Sequence, residues 1–513
     1  MTGNGRSIIP FPCGPGIRAT IAPNHHNGKD IREGNMTASL ESHDGDGTVA
    51  NEQGSRTGLQ RKMETRHLMM ISLGGVIGTG LFLSSGYTIH QAGPIGTILA
   101  YAIGALNVYM VMLCLGELAT AMPQTGSFHV YAGRFIGPGT GFTVAIIYFL
   151  AWMGALGSEF TASGLIMQKW FPNSPAWAWS ALFIVLIFTL NALSVRSFAE
   201  AEFWFAGIKV VAIIAFIAIG ALAIVGILPI AGYSHAPGLT NLVKDGVFPN
   251  GFAPVFSTMS TVAFAFSGTE LLGVTAGETK DPAENIPKAI HTTFWRLAIF
   301  FIGSIVVMSA LIPWQKAGVD KSPFVLVFEA IGLPFAGDLM NFVVLTAILS
   351  AANSGLYAST RMLWSLSNEH MIPKVFSRTT RSGVPLIALC TAMAGGLMAL
   401  LSSVTAASAI YLALVSSAGI AIVIVWVVLA VCEIRFRLEL KRSGRDAGEL
   451  AFRTPCWPVV PILALVLSGG TLVLSAVYES MRSSLVTMAV IIAICYAVHW
   501  ARVLWRRRSA REA

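Results

Sequence analysis

Charge is what this sequence has least of. Asp, Glu, Lys and Arg make up 12% of its 513 residues and hydrophobic residues 54%, whereas soluble domains carry about 25% charged residues. Mean hydropathy is +0.67. A set of water-facing domains is excluded, although length alone would allow about three. Charge is also missing in blocks, with no charged residue from His67 to Gly116 or from Ser382 to Cys432. Each block is far longer than the roughly 20 residues a helix needs to cross hydrocarbon, so each holds two spans and a turn. The alternation in segments of about ten residues that marks a membrane β-barrel is absent. The fold class is therefore an all-α polytopic membrane protein.

Other absences narrow the function. Cys13, Cys114, Cys390, Cys432, Cys456 and Cys495 stand singly, with no CxxC pair and no matching histidine spacing. Neither a zinc site nor a disulfide scaffold follows, and no metal or cofactor is expected. The net charge of +8 does not point to nucleic acid, because the basic residues gather at span ends, as membrane topology requires. No P-loop is present, so built-in ATP hydrolysis is excluded. Gly78-Thr79-Gly80 runs on into Leu81-Phe82-Leu83, lacking the last glycine and the preceding strand of a dinucleotide site. An enzyme is not expected.

What is present organises the chain. Residues 1–60 are rich in Gly, Asn, Ser and charge and lack a signal-peptide apolar stretch, which reads as a disordered cytoplasmic tail. Residues 61–505 form the transmembrane domain, followed by a basic tail at 506–513. Apolar stretches give twelve spans, at about 67–88, 96–121, 140–169, 176–195, 203–229, 252–277, 294–315, 338–364, 384–402, 406–432, 456–478 and 483–503. With an even count the termini share a face. Counting from Arg56, that face would hold 25 Lys and Arg, against 5 on the other (Lys169, Lys244, Lys316, Lys321 and Arg482). Both termini are therefore expected in the cytoplasm, and the bilayer of a bacterial inner membrane is the expected setting.

Two spans carry weak points. Span 1 contains Gly74-Gly75-Val76-Ile77-Gly78-Thr79-Gly80, where each glycine costs about 1 kcal/mol in a helix interior relative to alanine. Such a run permits either close helix packing or unwinding around a cavity. Span 6 carries Phe266-Ser267-Gly268-Thr269-Glu270, with an acid at a depth where charge is costly. Paired interruptions in spans 1 and 6 are expected of an inverted repeat of five plus five spans, here 66–230 and 252–434, with extra helices at 456–505. They mark a transporter's midplane site. A half-helix N-terminus at Thr79 and Gly80 offers amides for a carboxylate. The carbonyls of Val76, Ile77, Gly78, Ala265, Phe266, Ser267 and Gly268 suit an ammonium group. An α-amino acid presents both. A channel would instead need a continuous pore lined by rings of carbonyls or charges.

These residues also carry a resemblance. Gly74 to Phe82, Gly116-Glu117-Leu118-Ala119, Phe266 to Glu270 with Ala276-Gly277-Glu278, Pro282 and Pro287, and Ser350 to Arg361 resemble the amino acid transporter family of the amino acid-polyamine-organocation superfamily. The likeness covers residues 60–505. It implies the five-plus-five fold and secondary active uptake of amino acids by rocking of spans 1, 2, 6 and 7. Within it, His67 to Ser72, Leu156 to Phe160 and Arg361 to Glu369 look most similar to the S-methylmethionine permeases, with lysine, arginine, aromatic and γ-aminobutyrate permeases sharing the scaffold.

Buried charges are the remaining candidates. Glu159, mid-span in span 3, is either a protonated acid bonded to carbonyls or an anionic wall favouring a cationic side chain. Glu270 is assigned to the binding site and to coupling. Lys209 either snorkels to the cytoplasmic interface or, as the resemblance implies, stands in a coupling-ion position, which makes the proton the coupling ion. Asn353 and Ser354 either reach this region or make plain helix contacts. Glu117 and Glu278 are expected to anchor loops and gate through loop arginines such as Arg134. Phe264, Phe266 and Trp152 are either gates or packing.

Overall fold

In the computed structural model, residues 75–123, 128–193, 195–230, 236–274, 281–332 and 335–512 are described. Every regular element among them is helical. Among the described residues, ten helices are long and apolar enough to cross a membrane. In chain order they supply spans 2, 3, 4, 5, 7, 8, 9, 10, 11 and 12. Spans 1 and 6 differ in kind. Span 1 enters the described residues at Gly75, bends at Ile77 and Gly78, and resumes as Thr79–Phe82. Span 6 runs as Ala253–Ser257 and Met259–Ala265, breaks at residues 266–270, and resumes at Leu271–Val274, where this described stretch ends.

The boundaries follow local chemistry. Ser84–Ala121 joins the end of span 1 to span 2 across Gly93, whose φ of 73° and ψ of 176° no helix tolerates. A Cβ there would also lie 2.7 Å from the ring of Pro249, so glycine answers both demands. Span 3, Pro138–Met167, opens with proline at its first position, where the missing N–H costs nothing. Span 9 passes from the α-helix Leu386–Met393 to a 3₁₀ stretch, Gly396–Ser403. A Cβ on Gly395 between them would lie 2.5 Å from the Cα of Met153, so span 9 presses on span 3.

Spans 3 (Pro138–Met167), 8 (Ala336–Asn368) and 10 (Ala407–Arg442) make the most extensive mutual packing around span 3. The apolar stretch of span 8 is 89% buried and that of span 12 only 17%, which puts span 8 at the centre and span 12 at the rim. Outward-facing Val185, Val211, Ile299, Val473 and Val490 are exposed. Exposed apolar side chains on so many spans call for lipid around them.

Candidate substrate and coupling site

An interrupted helix in a bilayer must hand its unpaired peptide groups to other partners, and span 1 does so residue by residue. The carbonyl of Ile77 accepts a bond from Nζ of Lys209 at 2.9 Å. The carbonyls of Thr79 and Gly80 accept from the hydroxyls of Tyr411 and Tyr101, each at 3.2 Å. The carbonyl of Phe82 accepts from Ser322 at 2.6 Å. The amide of Thr79 donates to both carboxylate oxygens of Glu159, at 3.3 and 3.2 Å, and its hydroxyl donates to Oε1 at 3.0 Å.

Span 6 solves the same problem with its own side chain. Gly268 has a φ of +97°, open to glycine and strained for other residues. Its amide donates to Glu270 Oε1 and Oε2 at 3.0 and 3.1 Å. Each broken segment thus holds a buried carboxylate on a free amide.

The two breaks touch. A Cβ on Gly80 would lie 2.4 Å from the Cα of Ala265, and one on Gly268 would lie 2.8 Å from the carbonyl oxygen of Gly75. Unwinding and close packing therefore occur together. Where the breaks meet, peptide backbone packs against the Glu159 carboxylate, whose Oε1 lies 2.7 Å from where a Gly78 Cβ would stand. Open space lies past the end of Thr79–Phe82, in a cavity of about 250 Å³ lined by Leu83, Ile166, Lys169, Lys321 and Asn341 among others.

The remaining candidates fall as follows. Lys209 does not snorkel, because its side chain is fully buried and its ammonium donates to the carbonyl of Ile77. Glu159 is bonded to donors of Thr79 rather than to carbonyls. Asn353 and Ser354 divide: Ser354 packs on Gly75, while Asn353 donates to Glu202 at 3.3 Å and accepts from Asn191 at 2.7 Å. Phe266 stacks on Phe301 with centroids 4.8 Å apart, and Trp152 lies edge-on to Tyr148 and against Gly355. With Phe264 these rings are buried packing here. Glu117 is not paired with Arg134. It is fully buried and accepts from Nε and Nη2 of Arg437 and from the amide of Thr454, while Arg134 reaches Glu439 at 3.4 Å. Glu278, Ala276 and Gly277 lie outside the described residues, as do Gly74 and residues 67–72.

Glu202 is the group that sequence reasoning missed. It is fully buried and accepts from Ser350 at 2.6 Å and from Asn353. Its signal was the seven-residue spacing to Lys209, which puts both on one face of the helix Val195–Ile224.

The amino acid permease family matches residues 67–512, a stretch that contains everything described above. The chain belongs to the amino acid permease family. Like the members it resembles, it is a multi-pass membrane protein. It is 53% identical over 449 residues to a putative histidine permease of Bacillus subtilis (strain 168), covering 87% of this chain and 94% of that one. It is 42% identical over 420 residues to the lysine-specific permease LysP of Escherichia coli (strain K12), covering 80% and 85%. It is 40% identical over 420 residues to the histidine permease HisP of Lactococcus lactis subsp. cremoris (strain MG1363), covering 80% and 87%. The finer likeness to S-methylmethionine permeases is not echoed in these names, which speak of histidine and lysine.

Proposed function

We propose that this permease imports a basic amino acid, histidine foremost, in symport with protons across a bacterial inner membrane, with both termini in the cytoplasm. The observation that carries it is the pair of bonds at the break in span 1. An ammonium sits on the carbonyl of Ile77 and a carboxylate on the amide of Thr79. The unwound segment thus takes one group of each charge from the protein's own side chains, two residues apart. A zwitterion offers the same two groups, and its carboxylate would replace that of Glu159 on Thr79. Its ammonium would then meet the carbonyls of Val76 to Gly78 and of Ala265 to Gly268.

The displaced Glu159 carboxylate remains beside the ligand, where it favours a positively charged side chain. Lysine in the name of one relative points the same way, as does histidine in two others when its imidazole is protonated. Lys209 and Glu270 carry the coupling proton, and Phe264 of span 6, packed in this state, moves against Trp152 of span 3 as a gate when spans 1, 2, 6 and 7 rock. S-methylmethionine is the second substrate candidate, because its sulfonium is a permanent cation and Leu156 to Phe160 carries that resemblance.

Purified protein in vesicles tests the reading. Labelled histidine should accumulate under an inward proton gradient, collapse with a protonophore and ignore sodium. Competition by twenty amino acids and S-methylmethionine should rank basic substrates first. Equal competition by neutral amino acids would remove the basic specificity. A Lys209→Met variant that still accumulates substrate against a gradient would remove the coupling role.

A further inference from the structure

A chain of polar groups leads away from the break into the protein. Asn191 of span 4 donates to Asn353 of span 8 at 2.7 Å. Asn353 and Ser350 both donate to the carboxylate of Glu202 in span 5. Two turns further along that helix, on the same face, Lys209 donates to span 1. All five side chains are buried. Glu202 shares this helix with Lys209, and Glu159 of span 3 is bonded to Thr79, two residues past the carbonyl that Lys209 holds. Facing this pair, span 8 presents Ser350 and Asn353, span 4 presents Asn191, and span 1 presents the carbonyl of Ile77.

A buried ammonium is tolerated when an anion accompanies it and both are hydrogen-bonded. Glu159 is spent on Thr79 and, in the function proposed above, changes partner when substrate arrives. Glu202 makes no bond to the described part of span 1 and is held by span 8 instead. It is therefore the anion that stays while the other changes place. We propose that Glu202 is the positioning residue of Lys209: anchored to span 8 by Ser350 and Asn353, it holds the ammonium on the carbonyl of Ile77 and sets how readily that ammonium gives up its proton.

This inference rests on the coupling role of Lys209, and the two can fail separately. The test compares Glu202→Gln, Glu202→Asp, Ser350→Ala and Lys209→Met in proteoliposomes, reading proton-driven accumulation of histidine from pH 5 to 9 and histidine counterflow at equal pH on both sides. Glu202→Gln removes the negative charge with little change in shape, and loss of a neighbouring anion disfavours the charged form of an amine. The expected result is a pH profile displaced to lower pH by about one unit, a tenfold change in proton affinity, with counterflow within about twofold of wild type. Glu202→Asp should recover part of the displacement, and Ser350→Ala, which loosens one carboxylate oxygen, should show a smaller one. If Lys209→Met abolishes accumulation while Glu202→Gln and Ser350→Ala keep the wild-type pH profile, the inference is overturned and the coupling lysine stands. If Glu202→Gln and Ser350→Ala lose counterflow and accumulation in equal proportion, Glu202 is a structural group and the inference is likewise overturned. Accumulation that survives Lys209→Met overturns both.

Discussion

Replacing Gly80 by alanine puts one methyl group where the two broken spans meet. The new Cβ would lie 2.4 Å from the Cα of Ala265 and 3.2 Å from its nitrogen, whereas carbon atoms settle about 3.5–4.0 Å apart. Backbone atoms cannot rotate out of the way, so the segments must part by about 1 Å or more. Overpacking of this kind costs about 1–3 kcal/mol in stability. A misplacement of about 1 Å at a site that depends on geometry costs on the order of 100-fold in rate. The expected outcome for Gly80→Ala is therefore uptake reduced on the order of 100-fold, with a moderately lower melting temperature in detergent. Gly207→Ala is the control, because nothing lies within 4 Å of a Cβ there and alanine gains up to about 1 kcal/mol of helix propensity. Proteoliposome uptake and thermal melting of both variants decide the matter. Wild-type transport by Gly80→Ala, or equal failure of Gly207→Ala, would refute the claim that contact between the breaks governs transport.

Three further outcomes follow from the same geometry. Glu159→Gln replaces a charged acceptor on Thr79 by a neutral one, so uptake of lysine and histidine should fall about tenfold more than that of alanine or serine, a difference of ~1.4 kcal/mol; equal losses across substrates would count against a charge role. Arg437→Met strands the buried Glu117 carboxylate and should cost about 3–5 kcal/mol, seen as a lower melting temperature that Glu117→Gln in the same chain partly restores. Asp245, in the loop between spans 5 and 6, accepts bonds from Gln315 and Trp314, which hold its carboxyl below the usual range. A depressed folded value means that this contribution is present above the unfolded pKa of about 3.9 and is lost as pH falls through the folded one. Asp245→Asn should therefore differ from wild type in melting at pH 7, and the difference should fade below about pH 4.

The spans were legible because hydrocarbon thickness sets a length that apolar runs must meet, and the breaks because four glycines in seven residues, Gly74 to Gly80, oppose a helix. Glu202 escaped because hydropathy starts span 5 at about residue 203, just past it. The helix begins at Val195 and carries Glu202 into the interior. Arg437 escaped for the matching reason: span 10 was expected to stop near residue 432, but the helix runs to Arg442. Its partner Glu117 lies 320 residues away, a distance that no local pattern encodes. The placement of Glu159 on Thr79 depends on how span 3 is rotated, which follows from packing against spans 8 and 10 and not from its nearly featureless apolar sequence.

Glu159 and Glu270 have a consequence for the half of the cycle in which nothing is carried. Naked amides crossing the bilayer centre without cargo would each cost several kcal/mol, and an importer built that way could swing only when loaded, trading one molecule for another. Here placeholders resident in the protein cover those amides. In the function proposed above, the vacant protein would make its return stroke with those amides covered, which suits net accumulation better than one-for-one swapping.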